Sequence, residues 1–440
     1  MQQHSFEGLD RPGGFARVGL LRPLRSRNFR RLWIGMTVSL VGDGIFLIAM
    51  TWVAYDLWNA PAALAVLGIA MTVPTIVCLL AGGAVSDRFD RRLVMLWSDI
   101  SRGLALAALA ALSFAHALTY TELAAIVAFY GAGTAFFMPA FDSIVPELVV
   151  AAELPQANAL DQFVRPLALR LAGPMLGGVL VASFGGGTAF AVDAATFAAS
   201  SAAVLSMSRT PLPPLAAGFS PLETVADGFR FVRRNAWLWG TLVSAAIAYL
   251  AFLGPTETLL PYVLKNSLHG SAGDLGLVFA AGGAGAVGAA ALMGQRRHPR
   301  RDVTFMYACW GLATLAVAGY GLARSTFQLM LACFIFNALE AAGTIVWATI
   351  KQRHVPLALL GRVSSLDWLI SIGLLPVSFA LTAPLAGLVG ARTTLVGASV
   401  IGTVATVAAL LIPGIRNIEG QAPRHDADTP NRAGAAASQA

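Results

Sequence analysis

Backbone N–H and C=O groups inside a bilayer must satisfy one another, so a chain with long apolar runs spans the membrane as helices or as a closed barrel. Twelve such runs follow one another here, at about 32–55, 62–85, 93–115, 121–143, 163–183, 188–208, 237–262, 272–294, 303–323, 326–350, 364–389 and 393–413. Each is near the roughly 20 residues that carry an α-helix across hydrocarbon. They are too long, and alternate too little, for barrel strands. Composition agrees: 57% of residues are hydrophobic and 12% charged, against about 45–50% and about 25% in soluble domains. Neither a soluble globule nor a disordered chain has that balance. The predicted fold class is an all-α integral membrane protein with twelve transmembrane helices.

An even number of spans puts both termini on one side, and the basic residues choose the side. The N-terminal segment, the even-numbered connections and the C-terminus hold 24 of the 30 Lys and Arg residues. The odd-numbered connections hold only Lys265, Arg324 and Arg392. The positive-inside rule then makes both termini cytoplasmic. It also accounts for the net charge of +7 without a nucleic-acid partner. The first run is too long for a cleaved signal sequence, whose apolar region is about 7–15 residues. The expected organisation is a basic tail (1–31), six helices (32–208), a linker (209–236), six more helices (237–413) and a disordered tail (414–440). Within the linker, 222–234 alternates apolar and charged residues at helical spacing and is predicted to lie on the membrane surface.

Several chemistries are left without residues to perform them. The cysteines Cys78, Cys309 and Cys333 are far apart and form no CxxC, so neither a disulfide framework nor a zinc site is expected. The six histidines lack metal-ligand spacing. No Walker A run supports direct ATP drive. No metal, no cofactor and no enzymatic activity are predicted.

The two halves carry an internal echo. Pro146 and Pro356 stand 210 positions apart, as do Pro174 and Pro384, and Gly177 and Gly387. Parallel repeats of six spans place a substrate path between the halves, near the midplane. The connection after the second span reads Gly83-Ala84-Val85-Ser86-Asp87-Arg88-Phe89-Asp90-Arg91-Arg92. It resembles the cytoplasmic signature of the major facilitator superfamily, with Asp90 where a glycine is usual. Gly173-Pro174-Met175-Leu176-Gly177-Gly178 looks like the antiporter motif of that superfamily's drug exporters. Residues 39–53, Met138-Pro139-Ala140-Phe141, Val145-Pro146-Glu147-Leu148, Ala157-Asn158-Ala159-Leu160 and Gly361-Arg362-Val363 resemble its macrolide-efflux and enterobactin-exporter branch. The resemblance covers about 29–412. It implies two six-helix halves that rock around a central cavity, and a cytoplasmic latch at Gly83, Asp87, Arg88, Arg91 and Arg92. Without the family, a carboxylate among guanidiniums can still make bidentate bonds, although arginines there also satisfy ordinary positive-inside bias.

Ionisable residues within spans are functional candidates by default. Asp43 lies roughly 17 Å into the first span at 1.5 Å per residue, with no cation within a helical turn. It is the first candidate for a proton- or cation-coupling group, or else a structural carboxylate hydrogen-bonded between helices or capped by Ser39 and Thr51. Glu340, near mid-depth of the tenth span, is the second. Asp99 and Arg102 are three apart on one helical face and are expected to satisfy each other and touch the latch. Arg170 has no local carboxylate; it is expected to balance Asp43, Glu340 or Asp142, or to meet an anionic cargo. Asp193 and Glu257 are expected at an outer gate, and Asp142, Arg362 and Asp367 with the latch. The functional expectation is a monomeric secondary exporter in the cytoplasmic membrane of a bacterium. It would exchange protons, or another cation, for an amphiphilic organic molecule. A dedicated siderophore or metabolite exporter, an uptake symporter and a non-transporting sensor are the alternatives.

Overall fold

The computed structural model describes residues 22–150, 153–208, 229–295, 299–356 and 373–419, with single positions between 359 and 369. The first six long helices are α1 (Arg27–Leu57), α2 (Ala62–Arg88), α3 (Arg91–Phe114), α4 (Tyr120–Leu148), α5 (Leu154–Pro166 running through to Gly173–Phe184) and α6 (Gly186–Leu205). Six more follow: α7 (Ala236–Ser267), α8 (Ala272–Gln295), α9 (Asp302–Leu322), α10 (Thr326–His354), α11 (Leu375–Val389) and α12 (Ala391–Ala408). Eleven are long and apolar enough to cross a bilayer, and the described part of α11 is shorter. No strand occurs among the described residues.

Local chemistry sets the ends. Ser26 caps α1 by accepting from the Phe29 N–H, and Ser325 caps α10 by accepting from Gln328. Thr119 and Glu122 form a capping box at α4. Gly185 and Gly390, with φ of 81° and 86°, let α5 turn directly into α6 and α11 into α12. The predicted span limits hold to within a few residues for most helices. The fifth span contains a break the sequence reading did not foresee. Between Pro166 and Gly173 the chain makes a π turn, Leu167–Ala172. Prolines on both sides cannot donate the usual backbone bond, and a π turn is one way to absorb the loss.

Helix packing repeats with an offset of six. α2 packs on α4 as α8 packs on α10; α1 on α6 as α7 on α12; α3 on α4 and α6 as α9 on α10 and α12; α1 on α5 as α7 on α11. The pairs that cross between the sets obey the same offset, since α2 meets α11 and α8 meets α5. Two sets of six helices thus repeat one packing pattern.

The buried apolar side chains form three clusters. One joins both sets through Leu67, Leu106 and Phe190 from the first and Leu259, Val278 and Leu395 from the second. It lies towards the arginine-poor end of the bundle. At the arginine-rich end each set has its own: Met36, Met95 and Ile144 in one, Leu238, Met306 and Ile350 in the other. Among the described residues, the two sets therefore share a core at one end and keep separate cores at the other.

Two expected boundaries move. Residues 414–419, assigned by the sequence to a disordered tail, are turns that bury Ile415 and Ile418, and Glu419 accepts from the Thr304 N–H at 2.6 Å. Helix α1 begins five residues before the predicted limit, at Arg27. Of the predicted surface helix 222–234, only 229–234 falls among the described residues, and it is helical.

Candidate functional site

The interior of the first helix set holds charge. Asp43 on α1 accepts a hydrogen bond from the Tyr130 hydroxyl on α4. Ser39 and Thr51 do not cap it, because each bonds a carbonyl of its own helix, of Met36 and Leu47. Arg102 on α3 pairs with Asp99 at 2.6 Å, and the second oxygen of Asp99 accepts from Ser200 on α6 at 2.7 Å. Both members of this pair are buried. The Arg102 guanidinium also lies 4.7 Å from the Phe137 ring centroid and 4.5 Å from that of Phe197, where cation–π attraction offsets part of its lost hydration. Asp43 is within electrostatic reach of Arg102 and Arg165.

Asp193 belongs to this cluster and not to an outer gate. It is completely buried on α6 and accepts from Thr196 at 3.0 Å through Oδ1; its Oδ2 has no partner among the described residues. It abuts α1 at Gly42, where an added Cβ would overlap both the Asp193 carboxylate and the Thr196 hydroxyl. Burial among α1, α3, α4 and α6 overrides the depth count that suggested the outer side.

The latch is drawn differently from its sequence outline. Arg91 pairs with Glu147 at the end of α4. Arg92 donates to the Val204 and Leu205 carbonyls, capping the C-terminus of α6. Asp90, the departure from the family signature, caps α3 by accepting from the Arg92 N–H at 3.0 Å. Asp99 and Arg102 satisfy each other, as expected. Gly83, Asp87 and Arg88 close α2, and Asp142 lies in α4; their side chains lie outside the described residues, as does Arg362. Asp367 accepts from Lys351 and from Trp347 Nε1 on α10.

The Gly-Pro segment of α5 sits at the seam between the sets. A Cβ at Gly173 would lie 2.6 Å from the Cα of Gly44 on α1. Gly177 likewise faces Ile45, whereas Gly178 faces Gly276 of α8, whose Cα would lie 3.0 Å away. One motif thus fastens α5 to its own set on one side and to the other set on the next. Pro174, buried between them, contacts α1 at Gly44 and α8 at Gly276. At the arginine-poor end the seam is closed by Lys265 pairing with Asp56, by Asn59 and Asn266 side chains 2.7 Å apart, and by Tyr55 donating to the Thr258 carbonyl.

A profile of the transmembrane secretion effector family matches residues 18–434. The chain belongs to that family of major facilitator transporters. The MFS-type transporter YfiS of Bacillus subtilis is 28% identical over 348 residues, covering 76% of this chain and 80% of the relative. The enterobactin exporter EntS of Citrobacter koseri is 28% identical over 349 residues, covering 77% and 80%. In fold, the chain resembles a bacterial homologue of the lysosomal transporter Spinster, with a TM-score of 0.65 and 13% identity over 91% of this chain and 97% of that one. The protein is thus a multi-pass membrane transporter and not an enzyme.

In this transporter Arg170, with an exposed side chain on the π turn of α5, is within electrostatic reach of Glu257 on α7; of its expected partners, Asp142 has its side chain outside the described residues. Glu340 is remote from Asp43 in the packing: it lines a pocket among α7, α9, α10 and α12 and accepts from Thr344 at 3.0 Å. Tyr130, Ser200, Glu147 and Lys351 complete these contacts but were absent from the sequence candidates. A tyrosine or serine in an apolar run carries no signal of its partner 87 or 101 positions away.

Proposed function

We propose that the transporter is a secondary active exporter that couples extrusion of an amphiphilic small organic molecule to inward movement of protons. The observation that carries this is the Asp43 carboxylate. It sits within the membrane, bonded by a neutral phenol, while the Arg102 guanidinium beside it is committed to Asp99. Such a carboxylate can gain and lose a proton without breaking an ion pair. Export is favoured over uptake by the family's description and by the named activity of its enterobactin-exporting relatives. The same relatives favour a siderophore-like cargo.

The distribution of basic residues supports a cytoplasmic position for both termini and the arginine-rich end. The end with separate cores would then open inward, and the closed seam at Asp56–Lys265 would face outside. Arg170 and Glu257, both exposed beside the seam, are suited to the polar groups of the cargo. Rocking of the two sets about the α5–α8 contact would alternate access, with Gly83, Asp87, Arg88, Arg91, Arg92, Asp142, Arg362 and Asp367 holding the cytoplasmic side when it closes. One polypeptide contains every part of this cycle, in the cytoplasmic membrane of a bacterium.

The test is transport in inside-out vesicles energised to an acid interior, with Asp43→Asn beside the parent. Proton-driven uptake of a fluorescent amphiphile or a catecholate siderophore by the parent, lost on adding an uncoupler and lost in Asp43→Asn, is the expected result. Transport that continues unchanged after the gradient collapses would remove the coupling reading.

A further inference from the structure

The interior of the first helix set holds more carboxylates than cations to meet them. Asp43 on α1, Asp99 on α3 and Asp193 on α6 are all within reach of the Arg102 guanidinium, which is bonded to Asp99. Arg165 on α5 reaches Asp43 electrostatically but is bonded to Asp161. Asp43 and Asp193 therefore have no ion pair among the described residues. Each accepts from one neutral side chain, the Tyr130 hydroxyl for Asp43 and the Thr196 hydroxyl for Asp193. The remaining faces add nothing charged. Gly173–Phe184 of α5 has no titratable side chain, and no group of α2 or α8 acts on either carboxylate among the described residues.

The two carboxylates are neighbours. Asp193 lies against the backbone of Gly42, the residue before Asp43, where an added Cβ would overlap its Oδ1. Tyr130, bonded to Asp43, sets its ring edge-on to Phe197, one turn along α6 from Asp193, with 6.1 Å between centroids. Asp43 is half-buried and Asp193 is completely buried, so Asp193 stands behind Asp43. Its Oδ2 has no partner among the described residues. A charge in that position loses its hydration with little to replace it, whereas a neutral acid loses far less. A second charge beside it adds repulsion that apolar surroundings do not screen.

We infer that Asp43 and Asp193 form one proton-binding unit, in which Asp193 keeps its proton while Asp43 gives up its own. The unit then alternates between two protons and one, and the two carboxylates are never ionised together at neutral pH. Its part in transport rests on the coupling reading of Asp43; the pairing itself does not.

The experiment is an infrared titration of the purified full-length protein in detergent, following the C=O stretch of protonated carboxyls. Asp43→Asn and Asp193→Asn assign the bands. Asparagine keeps the side-chain shape, thermal unfolding checks each variant, and Asp193→Ala takes over if Asp193→Asn does not fold. A band present in the parent at neutral pH and missing in Asp193→Asn is expected. The last proton of the pair should leave the parent roughly one pH unit or more above the midpoint of the single carboxyl that remains in either variant. Two carboxyls that ignore each other would instead share that last step with one of the variants. That outcome, or an Asp193 already ionised at neutral pH, would overturn the inference. No gradient is applied, so the two readings fail separately. If the titration holds and proton-driven transport does not, the exporter reading falls and the pair stands. If the titration fails, the pair falls and the vesicle experiment still decides the role of Asp43.

Discussion

The charges inside the first helix set are held by a few short contacts, and single substitutions should expose how unequally. Removing one partner of a buried ion pair leaves the other uncompensated, at about 3–5 kcal/mol. Arg102→Ala should therefore lower the thermal transition sharply, because Asp99 keeps only the Ser200 hydroxyl. Arg102→Ala with Asp99→Ala should be less damaging than Arg102→Ala alone, and a double-mutant cycle on melting temperatures checks this. Gly42 makes a second case. Gly42→Ala should destabilise the protein, and adding Asp193→Ala should recover part of the loss, since the new methyl then meets only the Thr196 hydroxyl of the two groups it overlapped. The sequence showed the Asp99–Arg102 pair because it is local, three residues apart on one helix. It did not show Asp43 with Tyr130, or Asp193 against Gly42, because those meetings depend on how α1, α4 and α6 rotate against each other.

At the level of helices, most limits could be foreseen, because the bilayer leaves little choice of length or of backbone bonding. Breaks and caps were harder. The π turn of α5 follows from two prolines and close contacts on both faces, and only the second of these needs the fold. Asp90 is the clearest gain from the structure: what looked like a departure from the family pattern is the cap of α3. Asp90→Ala should cost about 1 kcal/mol, and Asp90→Gly only a few tenths, since glycine is itself a tolerated N-cap. Chemical denaturation of the two variants side by side would show that order. Reversal of the order would mean that the Asp90 side chain serves the latch and not the helix end.

Across the whole molecule, the repeated prolines and glycines foretold paired halves, and the packing offset of six helices gives that pairing its form. Which end is shut was beyond the sequence, since two arrangements of one chain differ by only a few kcal/mol. Asn59 and Asn266 are in contact across the seam. With Cys78→Ser as background, Asn59→Cys with Asn266→Cys should form an interset disulfide rapidly under mild oxidation, seen as protection of both introduced cysteines from alkylation until reduction. Transport should stop when the bond forms and return on reduction. Transport at the parent rate with the bond intact would show that this end never has to open.

One consequence concerns the lipid and not the cargo. In the proposed inward-open state, a bundle with a common core at one end and separate cores at the other would take up unequal areas in the two leaflets. In the proposed cycle, switching access would exchange those areas, so each half of the cycle would do work against lateral pressure in one leaflet and recover it in the other. The bilayer is then a participant in the equilibrium. Lipids with small head groups and bulky tails, or asymmetric leaflets, should shift the balance between the two shapes and the turnover rate with it, without touching a single residue of the transport path.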